Sequence, residues 1–245
     1  MPNPLRKVSS WRFVAVFLAS GAAFLLTCCV VLGLFHLCVP EQKIAFRVAT
    51  PFVDLVFLVE FLWLLNKFMF KPAGTKFPQA FSLSTKDGGL KREVWIGVVG
   101  WLCMIATVVL CTVLVSLFAR DIADQFHSPA AVEIARLMQL RNTPLTIRFA
   151  VFIEACITTV LVEECFCRGF IYNWLRARTD FWRAGAVSAL VFAIAHGIGL
   201  SLMVYYPIGL VLAGVYERSG KLISPMITHS LWNCTCICGC LIMAK

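Results

Sequence analysis

The sequence predicts an all-α polytopic membrane protein, a helical bundle of about seven transmembrane helices, and three observations predict it. Of its 245 residues, 60% are hydrophobic and only 14% charged, whereas soluble domains carry about a quarter charged residues. Mean hydropathy is +0.84. The apolar residues also fall in long runs, which helices carry through hydrocarbon without stranding backbone polar groups. A net charge of +9 would suggest nucleic acid in a soluble domain. Here the basic residues lie between apolar runs, where they orient a membrane protein, so the expected surroundings are a lipid bilayer and no nucleic acid.

A span needs about 20 apolar residues at about 1.5 Å rise each. Spans are expected at 13–37, 44–65, 94–118, 148–175, 181–200, 201–215 (a short one) and 222–243, with a tight turn at "HGIGLS" between the fifth and sixth. The first run lacks a clear small-residue cleavage site and reads as a retained helix. Between the second and third lies a loop rich in Pro, Gly and Lys. After Ser128, "SPAAVEIARLMQL" pairs a capping serine with apolar residues at helical spacing, the pattern of an interfacial helix. The chain accordingly divides into N-terminal helices with a cytoplasmic loop and interfacial helix (1–140), and a C-terminal core (145–245).

Arg6, Lys7 and Arg12 assign the N-terminus to the cytoplasm. Seven crossings then put the basic 67–92 loop, Arg176, Arg178, Arg183, Arg218 and Lys221 on the same side. The segment carrying Arg120, Arg136, Arg141 and Arg148 falls outside, against the rule. Most of the twelve cysteines lie inside apolar runs, where cysteine acts as a small hydrophobe. The terminal "CTCICGC" spaces its cysteines by two, which scatters them around a helix instead of converging them on a metal.

Ionisable residues at bilayer depth are costly unless paired or hydrated, which makes them functional candidates. For Asp54, Glu60 and Glu154, a polar group satisfied inside the bundle is as good a reading as any role. The stretch "VEECFCR" is more specific. Glu164 and Arg168 are four apart and face each other for an ion pair. Glu163, turned about 100° from its neighbour, is then left without a partner charge. Phe192 and His196 share a face of the fifth span, and His229 and Asn233 share one of the seventh. Counted from the cytoplasmic ends, Glu163, His196, His229 and Asn233 lie roughly 12–21 Å deep, near the middle of a core about 30 Å thick. One cavity can therefore hold them all.

Two chemistries fit such a cavity. A desolvated carboxylate is a general base toward water, a histidine shares that water or protonates a leaving amine, and a second histidine with an asparagine amide stabilises an oxyanion. Together these describe amide hydrolysis. Equally, Glu163, His196 and His229 are acceptable Zn²⁺ ligands, with a metal-bound water as the nucleophile. No HExxH is present.

The three motifs EExxxR (Glu163, Glu164, Arg168), FxxxH (Phe192, His196) and HxxxN (His229, Asn233) stand in this order on three apolar regions. In them, and in the glycine-punctuated text between the last two, residues 145–240 resemble the CAAX prenyl protease and bacteriocin-processing family, the CPBP or Abi intramembrane proteases. The resemblance implies an intramembrane endopeptidase acting on membrane-anchored peptides or proteins, prenylated CAAX-type or bacteriocin and leader-type. By it, Glu163 with His196 activates water, His229 with Asn233 holds the oxyanion, and Glu164, Arg168 and Phe192 support the site. Both metal-dependent and glutamate-dependent mechanisms have been described for the family, so the cofactor is Zn²⁺ or none. The compact length suits a bacterial inner membrane. The alternatives are a non-catalytic scaffold or immunity protein binding a peptide on the same fold, and a transporter using Glu163 and His196 as a proton relay. The intact motif set speaks against the first, and the lack of an internal repeat against the second.

Overall fold

The computed structural model describes residues 4–38, 42–76, 81, 89–118 and 144–243. Segment 128–140, expected as an interfacial helix, lies outside them. A 3₁₀ turn at Pro4–Lys7 leads into α1 (Ser10–Cys38) and α2 (Gln42–Leu65), which continues through Asn66–Phe70 and Lys71–Ala73. Then come α3 (Gly89–Phe118), α4 (Leu145–Arg176), α5 (Phe181–Ala195), α6 (Leu202–Ser219) and α7 (Ile223–Met243). Among the described residues these are the seven helices expected, in a membrane bundle. Four of them, within α1, α2, α3 and α4, are long and apolar enough to cross a bilayer. The outer helices α1 and α3 expose Leu18, Leu25, Leu26, Leu102 and Leu110, an apolar surface suited to hydrocarbon and not to water.

At the centre is α4. On one side it meets α2 and, through aromatic rings, α1; on the other it meets α5 and α7, while α3 covers α6 and α7. Phe13 of α1 stacks on Trp174 of α4 at 4.2 Å and tilts against Phe170 at 4.6 Å. Such pairs add about 0.5–1.5 kcal/mol beyond the area they bury. Arg178, just past α4, donates to the carbonyls of Leu5, Arg6, Val8 and Trp174 and lies over the Trp174 ring. One side chain thereby fixes the N-terminal turn to the end of the central helix. Asp180 caps α5 by accepting from the Arg183 N–H at 2.9 Å, and that bond holds its carboxyl below the ordinary aspartate value.

Three spans differ in detail from expectation. The fourth span is not a uniform α-helix. Glu154–Thr158 and Cys165–Tyr172 are π-helical, with a short α segment, Thr159–Glu164, between them. A π turn leaves backbone carbonyls without their usual i+4 donors, and inside a membrane other groups must satisfy them. They do so here. Asn233 Nδ2 donates to Ala155 O at 2.6 Å, Ser230 Oγ to Cys156 O at 2.8 Å, and Ser188 Oγ to Cys167 O at 2.8 Å. The wide turns thus become the points at which α7 and α5 dock.

The fifth span does not run to residue 200 as expected: α5 stops at Ala195 and His196 caps it. Gly197 and Gly199, at φ of +134° and +126°, take backbone conformations open chiefly to glycine, and these reverse the chain. The sixth helix is correspondingly longer than expected, reaching Ser219. It crosses α5 closely at Gly209, where an added Cβ would lie 2.8 Å from the Ala189 Cα.

That crossing gives a test. Gly209→Ala forces two backbones apart and should cost about 1–3 kcal/mol. Gly214→Ala, on the same helix with nothing within 4 Å of its new Cβ, should be neutral or slightly stabilising. Thermal unfolding of both variants in detergent checks this, and equal melting points would refute the tight crossing.

Candidate active site

The site is built on the Thr159–Glu164 segment, whose last two residues are the adjacent glutamates. Glu164 points into the bundle and is fully buried, as is Arg168 one turn later, and the two form an ion pair at 2.9 Å. Arg168 Nη2 also donates to Gly209 O at 3.1 Å. Its guanidinium lies 4.8 Å from the centre of the Phe192 ring, a cation–π contact worth most where water is excluded. The expected Glu164–Arg168 pair is therefore present, and it has a further partner. His229 Nδ1 lies 2.9 Å from the same Glu164 oxygen that Arg168 holds.

Glu163 faces the other way and keeps 22% of its side-chain surface exposed. Its two oxygens point at two imidazoles: Oε1 is 3.9 Å from His196 Nε2, and Oε2 is 3.8 Å from His229 Nε2. These separations exceed a direct hydrogen bond and suit one water bonded to both groups. Glu163 Oε2 is itself buried and makes no hydrogen bond within the protein, so it is free to accept from a bound molecule.

The hydrogen-bond partners assign the imidazole protons. His196 Nδ1 lies 2.9 Å from the Phe192 carbonyl. A carbonyl only accepts, so Nδ1 carries the proton and the neutral ring turns the Nε2 lone pair toward Glu163. His229 Nδ1 meets a carboxylate already paired with arginine, so it too donates, and its Nε2 faces Glu163. To donate from Nε2, His229 must carry a second proton. Ring contacts hold both orientations. Phe192 sits 4.4 Å from the His196 ring and 5.7 Å from His229, while Tyr205 stacks on His196 at 4.4 Å and 20°.

Asn233, one turn beyond His229, reaches α4 through the Ala155 carbonyl; one of its two amide protons is engaged there. Glu163, His196 and His229 thus converge, with Glu164, Arg168 and Phe192 packed behind them, and Asn233 binds the same central helix further along. Sequence reasoning missed Tyr205 and the Gly209 carbonyl. A backbone oxygen carries no side-chain signature, and Tyr205 is an ordinary aromatic in an apolar run.

Two histidines and a glutamate form a common zinc donor set. Among the described residues, however, no group of three His, Cys, Asp or Glu side chains is arranged to hold a metal ion.

A comparison with known protein families covers the same part of the chain. Residues 145–235 match the family described as "Type II CAAX prenyl endopeptidase Rce1-like". This stretch is similar to that family. The same chain is 30% identical over 81 residues to a Bacillus subtilis (strain 168) protein named "Putative membrane peptidase YdiL", a match spanning 33% of this chain and 33% of that protein. No solved structure matches. All seven residues of the three motifs lie inside the matched stretch, which begins with α4.

The paired core predicts an asymmetric response to mutation. Arg168→Leu leaves Glu164 buried without its counter-charge and should cost about 3–5 kcal/mol. The double change Arg168→Leu with Glu164→Leu should recover much of that loss. Urea or thermal unfolding of the three proteins reads the difference. A double variant as unstable as the sum of its single changes would show that the pair does not act as a unit.

Proposed function

We propose that this integral membrane protein is an endopeptidase that hydrolyses peptide bonds of membrane-associated substrates, with Glu163 as the general base. One observation carries the reading: both Glu163 oxygens face imidazole Nε2 atoms at 3.8 and 3.9 Å, each ring held by a bond to its other nitrogen. The similarity to the Rce1-like family supports the choice of peptide chemistry and makes CAAX-type peptides the first substrates to try.

The steps follow from the donors present. A water held between Glu163 and His196 gives one proton to the carboxylate as its oxygen attacks the scissile carbonyl. The carbonyl oxygen takes the negative charge and is met by the remaining Asn233 amide proton and by Nε2–H of a doubly protonated His229, whose Nδ1–H stays on Glu164. Such donors are worth about 2.7–4 kcal/mol each when placed for the oxyanion. As the intermediate collapses, the C–N bond breaks and the proton held by Glu163 passes to the leaving amine. The products are a carboxylic acid, which keeps the water's second proton until it ionises, and a free amine. Glu164 touches neither reactant; with Arg168 it fixes the His229 ring.

Glu163→Gln keeps the size and loses the base, and should reduce kcat by at least about 100-fold while leaving the melting temperature unchanged. His196→Gln should fall by a similar factor. The assay is cleavage of a fluorogenic CAAX-type peptide by purified protein in detergent or nanodiscs. Full activity in Glu163→Gln would end the base assignment. Loss of wild-type activity with a chelator, restored by added Zn²⁺, would replace the glutamate-activated water with a metal-bound one.

A further inference from the structure

Asp54 belongs to α2, outside the stretch similar to the Rce1-like family, and the hydrolytic steps make no use of it. It is a carboxylate only 8% exposed inside a membrane bundle, a placement that costs several kcal/mol unless other groups satisfy it. Its partners are specific. Oδ2 accepts from Thr158 Oγ1 at 2.9 Å and from Thr159 Oγ1 at 2.8 Å. These two threonines stand at the junction where the first π-helical segment of α4 ends and the Thr159–Glu164 segment begins.

The junction matters because both glutamates lie within two helical turns of it. In an uninterrupted α-helix each residue turns about 100° from the last, so the direction of any side chain is set by its neighbours. A π turn holds more residues and breaks that phase. Thr159–Glu164 lies between two π segments, and bonds from outside the helix must therefore set its rotation. Thr159 precedes Glu163 by four residues and shares its face. A bond that fixes Thr159 fixes the direction of Glu163. Of the other external bonds nearby, those from Asn233 and Ser230 grip Ala155 and Cys156 on the far side of the junction. His229 meets Glu164 at the other end of the segment, which leaves the Asp54 bonds to hold its start.

We propose that Asp54 is a positioning residue for the hydrolytic reaction. Its carboxylate clamps Thr158 and Thr159 and thereby sets the rotation of the α4 segment that aims Glu163 between His196 and His229. The inference rests on the reading of Glu163 as the base, and it makes α2 a working part of the site. The clamp is a hydrogen-bond acceptor, so charge is not what it requires. An asparagine side-chain oxygen has two lone pairs and serves both threonines equally well.

The test compares Asp54→Leu with Asp54→Asn in the full-length protein. Asp54→Leu should lower kcat by about 10- to 100-fold, the cost of misplacing a reacting group by about 1 Å, with KM unchanged. Asp54→Asn should retain most of kcat. Thr158→Val with Thr159→Val removes the same bonds from the other side and should reproduce the Asp54→Leu loss, and Thr158→Ser with Thr159→Ser should restore activity. The threonine variants decide the question if Asp54→Leu does not fold.

A readout independent of turnover accompanies these assays. In ¹⁵N-histidine-labelled protein, the Nε2 resonances of His196 and His229 should move in Asp54→Leu and stay near their wild-type positions in Asp54→Asn. Unchanged kcat and unchanged resonances in Asp54→Leu would overturn the proposal, as would an Asp54→Asn variant as impaired as Asp54→Leu. Should wild type and Glu163→Gln cleave equally, the function reading fails, and the resonances still judge the clamp.

Discussion

The buried ion pair between Glu164 and Arg168 is the constraint on which the rest of the site depends. Two full charges with no solvent exposure are stable in a low-dielectric interior only when their remaining donors and acceptors are also used. The bundle commits three further helices to this. α7 supplies the His229 Nδ1–H, α6 supplies the Gly209 carbonyl, and α5 supplies the Phe192 ring beneath the guanidinium. Each contact made to satisfy the pair also places a site residue. His229 is turned so that its other nitrogen faces Glu163. Phe192 is held where its ring and its carbonyl both restrain His196. The close crossing at Gly209 is the geometry that lets a backbone oxygen reach the arginine, and a side chain there would hold α6 too far from α5.

A second constraint is the shape of α4. Its π turns free carbonyls that a regular helix would consume, and Asn233, Ser230 and Ser188 fill them. The irregular stretches of backbone are thus the docking points of two neighbouring helices. This explains why the polar residues of α7 are spaced as they are. Ser230 and Asn233, three apart, meet consecutive carbonyls of the wide turn, while His229 continues to Glu164 on the next segment. The helix that bears the glutamates and the helix that bears His229 are therefore registered against each other by hydrogen bonds on both sides of the site.

Much of this is legible in the sequence. The seven apolar runs mark the helices, because hydrophobic length alone determines which segments can span. The i,i+4 spacing marks the Glu164–Arg168 pair, because helix geometry makes those positions neighbours. The agreement in depth of Glu163, His196 and His229 anticipates their meeting. What fails has local or tertiary causes. Apolar character continues through Gly197 and Gly199 and so draws the end of the fifth span too late, although the tight turn expected at residues 196–201 is where the chain reverses. The π segments have no sequence signature of their own; within them, carbonyls accept from side chains of other helices. Asp54 is visible as an anomaly, but its partners sit on a helix whose phase the sequence does not reveal.

The adjacent glutamates show most directly how environment separates like residues. They share a backbone, a residue type and a depth, and they differ by one helical step. That step sends Glu164 into a site with no exposed surface and an arginine waiting, and it sends Glu163 to a site with 22% exposure and no counter-charge in direct contact. Glu164 has committed an oxygen to two cationic or donor groups and is poorly placed to take a proton from water. Glu163 has a buried oxygen with no bond of its own and two imidazole nitrogens within reach of a shared water. On the proposed reading, the carboxylate that exchanges a proton has to be separated from the one that neutralises the arginine. The fold achieves this with neighbouring residues by fixing the rotation of six residues of helix.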